Sequence, residues 1–233
     1  MPDRGRSLQL GLAALFLSAG PVPAVAQMAN APQQGDCEQP AFTGGGALGC
    51  YLIATSNLGP MPRILYWHID VFPDVGSAEA ARTLYGTVTV ALGGQVFLQT
   101  VNDNPGWTAP GGQRIAMVGP LPVRTDADLT ARFMELTAPA PTFPRAAAGP
   151  QAIFLVEGSA CIRTPSAATL VERDRSFISP TGIPSIVESK DGRALLLVVH
   201  PAGEAWAAPR PDLAQSGTCA PQQAAVTEDP SDR

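Results

Sequence analysis

Hydrophobic and polar positions along this chain alternate in short runs, with little helical periodicity. The densest series spans residues 149 to 200. Ala152–Glu157, Ala160–Thr164, Thr169–Glu172, Ser176–Ile178, Ser185–Ser189 and Ala194–Val199 are rich in β-branched and aliphatic residues. Turn signals separate them at Glu157-Gly158-Ser159, Thr164-Pro165-Ser166, Pro180-Thr181-Gly182 and Lys190-Asp191-Gly192. Strands so short and evenly punctuated predict an all-β sandwich, jelly roll or small barrel. Ahead of this series, Tyr51–Thr55, Ile64–Phe72 and Gln113–Val118 read as strands, and Thr87–Leu92 with Gln95–Val101 as a hairpin about Gly93-Gly94. Ser77–Leu84 has the pattern of one short helix with Ser77 as its N-cap. Leu129–Leu136 reads as a further strand, and Ala138–Pro150 as a loop rich in Pro and Ala.

The chain start changes the picture. Arg4 and Arg6 precede an apolar core, Leu8–Ala19, and Ala24-Val25-Ala26 forms a small-residue cleavage site before Gln27. Residues 1–26 therefore read as a secretory signal peptide, which predicts a periplasmic or secreted protein. The apolar run is too short to span a bilayer and is closed by Pro21 and Pro23, and no membrane span is expected elsewhere. The expected organisation is signal peptide 1–26, leader 27–48, an N-terminal β unit 49–124, a C-terminal barrel 125–209 and a tail 210–233. The N-terminal unit shows too few strands for a complete barrel. It reads as a degenerate second unit or as an extension of the C-terminal one.

Charge and cysteine usage narrow the function classes. Without residues 1–26 the chain keeps 13 basic and 19 acidic residues, a net charge of −6 with no basic cluster. Nucleic acid is not an expected partner, because phosphate binding relies on grouped Lys and Arg. Four cysteines, Cys37, Cys50, Cys161 and Cys219, predict two disulfides in an exported chain. Three pairings are open. The preferred one joins Cys50 to Cys161 and Cys37 to Cys219, tying the N-terminal segment to the barrel and the tails to each other. No cysteine pair has the short spacing of a zinc site. Gly44 to Gly49 matches G-x-G-x-x-G, but a strand follows it where a dinucleotide site requires a helix. No G-x-S-x-G elbow is present.

His68 and Asp70 stand two apart on a predicted strand and so share a face. With His200, the only other histidine, they imitate a two-histidine, one-carboxylate set for iron, manganese or zinc, and Arg210 mimics a grip on a 2-oxo acid. The structural reading of the same residues is a satisfied core pair and a sheet-end cap. Trp67, Trp107 and Trp206 are candidates for an apolar pocket, with Trp107 the most exposed between Pro105-Gly106 and Pro110-Gly111.

Residues 149–200 resemble the cupin superfamily. The loop 158–164 is similar to the end of the first cupin motif, and Ser179-Pro180-Thr181-Gly182 to the Pro-x-Gly turn of the second. Trp67-His68-Ile69-Asp70 and Gly119-Pro120-Leu121-Pro122 resemble stretches found ahead of the barrel in a bacterial group of cupin-domain proteins. The resemblance implies a cupin-like double-stranded β-helix, or a two-unit bicupin-like arrangement with a degenerate first half. Anchored on Gly158, it places the family's Glu ligand at Gln151, its two His ligands at Arg145 and Ala147 (or Pro144 and Ala146), and its last His at Ser185. Arginine has no lone pair to donate and alanine offers nothing, so the usual metal set is expected to be missing. The implied function is binding of a small molecule or a partner through Arg145, Gln151, Ser185 and Trp107, without a cofactor and without catalysis. The alternative is an enzyme using His68, Asp70 and His200, either a metal-dependent oxygenase or a metal-independent isomerase. A third reading is a sealed barrel filled by Phe154, Ile162, Phe177 and Val187 and used only in protein contacts. The oligomeric state is open, a homodimer being one option.

Overall fold

The computed structural model describes residues 42–43, 46–47, 49–137, 140–142, 149–179, 181–183, 185–203 and 219–221. In chain order these form β1 (Phe42–Thr43), β2 (Gly46–Ala47), β3 (Gly49–Gly59), β4 (Ile64–Phe72), α1 (Val75–Ala81), β5 (Gly86–Val90), β6 (Val96–Asn102), β7 (Gln113–Pro122), β8 (Leu129–Thr137), β9 (Ala140–Thr142), β10 (Gln151–Arg163), β11 (Ala168–Glu172), β12 (Ser176–Ser179), β13 (Ile186–Pro201) and β14 (Ala220–Pro221). The all-β class with one short helix is therefore as read from the pattern. The G-x-G-x-x-G stretch contributes β2 and the start of β3, and no helix follows it.

The strands build two larger sheets. One is eight-stranded in the order β14-β11-β10-β13-β8-β3, with β12 also on β10 and β9 also on β13; the other is four-stranded, β5-β6-β4-β7. Strand alternation explains how they pack. Phe133, Phe154, Leu195 and Leu197 of the large sheet meet Leu65, Trp67, Ile69 and Phe97 of the small one in a first core. Each such buried large side chain contributes about 1.5–3 kcal/mol. The intervening residues Met134, Ile153, Leu155 and Leu196 form a second core on the opposite face of the large sheet, with Ile162 and Val187. Phe177 packs against this second core, while Phe154 belongs to the first, so the four side chains proposed as one barrel filling are divided between two faces. Under α1, Phe72, Val96 and Leu98 make a third cluster on the outer face of the small sheet.

Two of the expected turns are bends within long strands. Glu157-Gly158-Ser159 and Lys190-Asp191-Gly192 lie opposite each other, with Gly158 paired to Gly192 and register shifts on either side. The extra residue in each bulge bends the pair without breaking it. Gly158 has φ +70° and Gly192 φ +100°, and a Cβ on either would run into the carbonyl of Asp191 or Glu157. Glycine here permits a close crossing of two strands, a signal identical in sequence to a hairpin turn.

Other boundaries also move. The helix starts earlier than expected: Asp74 is the N-cap and its Oδ1 accepts from the Ser77 amide at 2.8 Å. β3 pairs with β8 along most of its length, so residues 49–59 complete the edge of the large sheet and are not part of the small one. The cysteine pairing differs as well. Cys161 bonds to Cys219, and Cys50 is disulfide-bonded without Cys161. The reason lies in the strand order: Cys161 pairs with Leu170 of β11, and β14 lies beside β11 at Leu170, which brings Cys219 to Cys161. Cys37, Arg145, Trp206, Arg210 and the segment read as a signal peptide lie outside the described residues.

Candidate functional site

The candidate ligand positions on the large sheet fall at one end of its second face. Gln151 and Ser185 are buried and bonded to each other, Ser185 Oγ donating to Gln151 Oε1 at 3.4 Å. The register places further polar residues beside them. Ser179, Gln151, Arg132 and Thr55, with the apolar Val198 between Gln151 and Arg132, stand opposite one another across five strands and share a face. The next row toward the sheet end holds His200, Thr130 and Asn57. The preceding row is apolar throughout: Phe177, Ile153, Leu196, Met134 and Leu52. The face thus turns from hydrophobic core to hydrogen-bonding groups within one strand repeat. Burial lowers the Arg132 guanidinium from its ordinary value. His200 Nδ1 lies 2.9 Å from the Pro201 carbonyl, so that nitrogen carries the proton and Nε2 is the basic one in the neutral ring. Arg132 carried no motif, and only cross-strand register reveals it as a member of this group.

His68 and Asp70 do come together, but elsewhere. Leu65, Trp67 and Ile69 face the first core, so His68, Asp70 and Phe72 face outward from the small sheet. A loop, 103–112, and α1 lie over that side. His68 and Asp70 are buried there and both are held by Arg114 of β7. The Arg114 Nε donates to Asp70 Oδ1 at 2.8 Å, Nη1 to His68 Nδ1 at 3.0 Å and Nη2 to the Trp107 carbonyl at 2.7 Å. Because guanidinium only donates, His68 Nδ1 must accept, and Nε2–H then donates to Asn102 Oδ1 at 3.1 Å. Burial, and after it the Arg114 charge, holds the imidazole below its ordinary pKa of 6.5. Trp107 is half-buried, with its ring 5.4 Å from His68 and 5.7 Å from the Arg114 guanidinium. It is thus part of this cluster, not an exposed member of the Gln151 group, because the loop folds back onto the sheet.

The three-residue metal set is not assembled. His200 follows Val198 on the second face of the large sheet, whereas His68 and Asp70 lie on the outer face of the small one, with the first core between. The isomerase alternative needs a histidine paired directly with a carboxylate inside the barrel. The His68–Asp70 connection runs through Arg114 and lies outside the inter-sheet core.

A second buried ion cluster gave no sequence signal. Glu135 of β8 is fully buried and accepts the Leu92 amide on Oε2 at 2.9 Å. Arg193 of β13 donates to the Leu92 carbonyl at 3.1 Å, to Gln95 Oε1 at 2.7 Å and to Glu157 Oε1 at 3.3 Å, with Glu135 Oε1 at 3.8 Å. These bonds dock the β5–β6 turn onto the large sheet. Burial pushes Glu135 up to about 7, against the opposing pull of the Leu92 amide and Arg193. Among the described residues, no three His, Cys, Asp or Glu side chains gather as a metal group, and no helix is long and apolar enough to cross a membrane.

No protein-family model and no curated protein matches the chain. Similar solved structures include a salicylate 1,2-dioxygenase from Pseudaminobacter salicylatoxidans, 22% identical over 32% of this chain and 21% of that one, TM-score 0.28. An RmlC-like cupin from Shewanella frigidimarina is 19% identical over 36% of this chain and 76% of its own, TM-score 0.29. A conserved protein of unknown function from Streptococcus pyogenes is 24% identical over 39% and 77%, TM-score 0.29. The chain spans about a fifth to a quarter of the dioxygenase chains it matches.

Proposed function

We propose that this chain is an exported cupin-like binding protein that takes a small polar molecule at the end of the large sheet. The observation that carries this reading is the row Ser179–Gln151–Val198–Arg132–Thr55 with His200 and Thr130 beside it, set directly against an apolar row. Donors and acceptors concentrated at the end of an apolar face are the usual make-up of a small-molecule site. The positions at which the cupin resemblance expects a carboxylate and an imidazole carry Gln151 and Ser185, which offer an amide and a hydroxyl, poor donors for a transition metal. Export rests on the leader-like residues 1–26 and agrees with a disulfide chemistry suited to an oxidising compartment.

The test is a thermal-shift and native mass-spectrometry screen of the tag-free mature protein against small carboxylates, sugars and amino acids, with elemental analysis alongside. A ligand whose binding weakens at least tenfold in Gln151→Ala supports the reading. Stoichiometric iron, manganese or zinc that is lost in His200→Ala replaces it with a metal-dependent enzyme. Screening of the fractionated native host for the protein, cleaved near Ala26, checks the location.

A further inference from the structure

A metal-binding imidazole is usually fixed by its second ring nitrogen donating to an oxygen, with a carboxylate nearby to balance the ion's charge. His68 has that arrangement. Nε2–H is directed to Asn102 Oδ1 at 3.1 Å, which leaves the Nδ1 lone pair turned toward Asp70's side of the strand. Asp70 is 1% exposed, and its Oδ2 has no hydrogen-bond partner. What stands between the two donors is Arg114, 3.0 Å from His68 Nδ1 and 2.8 Å from Asp70 Oδ1.

We propose that the Arg114 guanidinium is the resident cation of a metal-type site, so that Arg114 and a divalent ion exclude one another there. The guanidinium supplies a fixed positive charge where an ion would supply two, and it does so from within the chain. A second cation brought within a few ångströms of it would be strongly repelled, because like charges at that separation are poorly screened away from bulk water. The side chain also does what a central ion commonly does for its surroundings. Its third nitrogen, Nη2, holds the Trp107 carbonyl at 2.7 Å, and the loop 103–112 is thereby fastened to the sheet. The two histidines therefore differ in kind: His68 belongs to a site already occupied by the protein itself, and His200 to the sheet end, so this inference is independent of the proposed ligand site.

The experiment compares tag-free wild-type protein with Arg114→Ala, and with Arg114→Ala combined with His68→Ala, using Co²⁺ as the probe because its visible absorption reports nitrogen and oxygen ligation. Stoichiometric Co²⁺ binding by Arg114→Ala, absent from the double variant and from the wild type, is the expected result. Wild-type binding that disappears in His68→Ala overturns the proposal, as does a folded Arg114→Ala that binds no Co²⁺. If Arg114→Ala does not fold with or without Co²⁺, ring ¹⁵N NMR of the wild type decides. A His68 Nδ1 that is unprotonated and unmoved by added Zn²⁺ supports the proposal, and a Zn²⁺-dependent Nδ1 shift sinks it.

Discussion

Arg114 and Arg193 are both arginines that reach across strands to a buried acid, yet one closes on its acid at 2.8 Å and the other stands off at 3.8 Å. Arg114 sits 2.8 Å from Asp70 and spends each of its nitrogens on a named acceptor, and the imidazole beside it stays neutral and serves as one of those acceptors. Arg193 stands 3.8 Å from Glu135 and gives its close bonds to Leu92, Gln95 and the exposed Glu157. One oxygen of each acid, Asp70 Oδ2 and Glu135 Oε1, has no hydrogen-bond partner, but in the second cluster the guanidinium also keeps an unused nitrogen, Arg193 Nε. The first cluster fastens a loop by charge balance; the second fastens a hairpin with neutral acceptors and leaves its acid under-compensated. What differs is distance and competition for the guanidinium, not residue type.

The largest expected effect breaks the tighter cluster. Arg114→Met removes the cation from a fully buried acid and costs about 3–5 kcal/mol, the range for stripping one partner from a buried pair. Arg193→Met costs less, about 1–3 kcal/mol, since it mainly orphans hydrogen-bond acceptors at the Leu92–Gln95 turn. Urea denaturation at a common pH checks the order, and equal losses would remove the distinction between the clusters.

Glu135→Gln tests the weaker compensation through pH. The carboxyl has an ordinary value of 4.5 and a folded value of about 7, so the native state binds the extra proton between them. Stability must then fall as pH rises through that window and be greatest below pH 4.5 as far as this group is concerned. A carboxyl raised that far corresponds to roughly 3 kcal/mol of stability lost across the window. Glu135→Gln keeps the acceptor for the Leu92 amide and loses the titration. Its stability should be flat over this window where the wild type declines, and parallel profiles would show that Arg193 compensates the acid after all.

Much of the fold was legible because strands announce themselves by alternation. β4 was bounded at Ile64 and Phe72, and the β5–β6 hairpin was found at Gly93-Gly94, where local pattern and turn chemistry agree. The bends at Gly158 and Gly192 read as turns in the sequence because a bulge glycine and a turn glycine satisfy the same steric need. At the site level, His68 with Asp70 followed from the period of two along one strand. The companion Arg114 did not, because it lies 44 residues from Asp70 and joins it only through β4–β7 pairing. His200 joins them in the sequence only as the one other histidine, and the side of the sheet on which it falls depends on register that no single strand encodes. The same limit hid Arg132, whose neighbours Val198 and Thr55 come from β13 and β3.

The smallest effect is the mirror image of the Glu135 one. His68 titrates below 6.5 in the fold because burial, then Arg114, disfavours the imidazolium. The unfolded chain therefore takes up a proton first as pH falls, and stability is present above 6.5 and lost on acidification through the window beneath it. Protonation would also put a ring N–H against Arg114 Nη1 at 3.0 Å, donor against donor. Asp70 on the same strand, Asn102 and the Asn104 backbone oppose this by favouring the charged ring, while Glu79 and Arg82 of α1 are exposed and paired with each other, so the net loss is smaller than that of Glu135. His68→Gln preserves an acceptor for Arg114 and a donor for Asn102 but cannot titrate. Amide protection across residues 103–112, corrected for the intrinsic pH dependence of exchange, should fall on acidification in the wild type before that of β10 and β13, and stay level in His68→Gln; identical protection in the two proteins would mean that the loop is fastened by Asp70 and Arg114 alone.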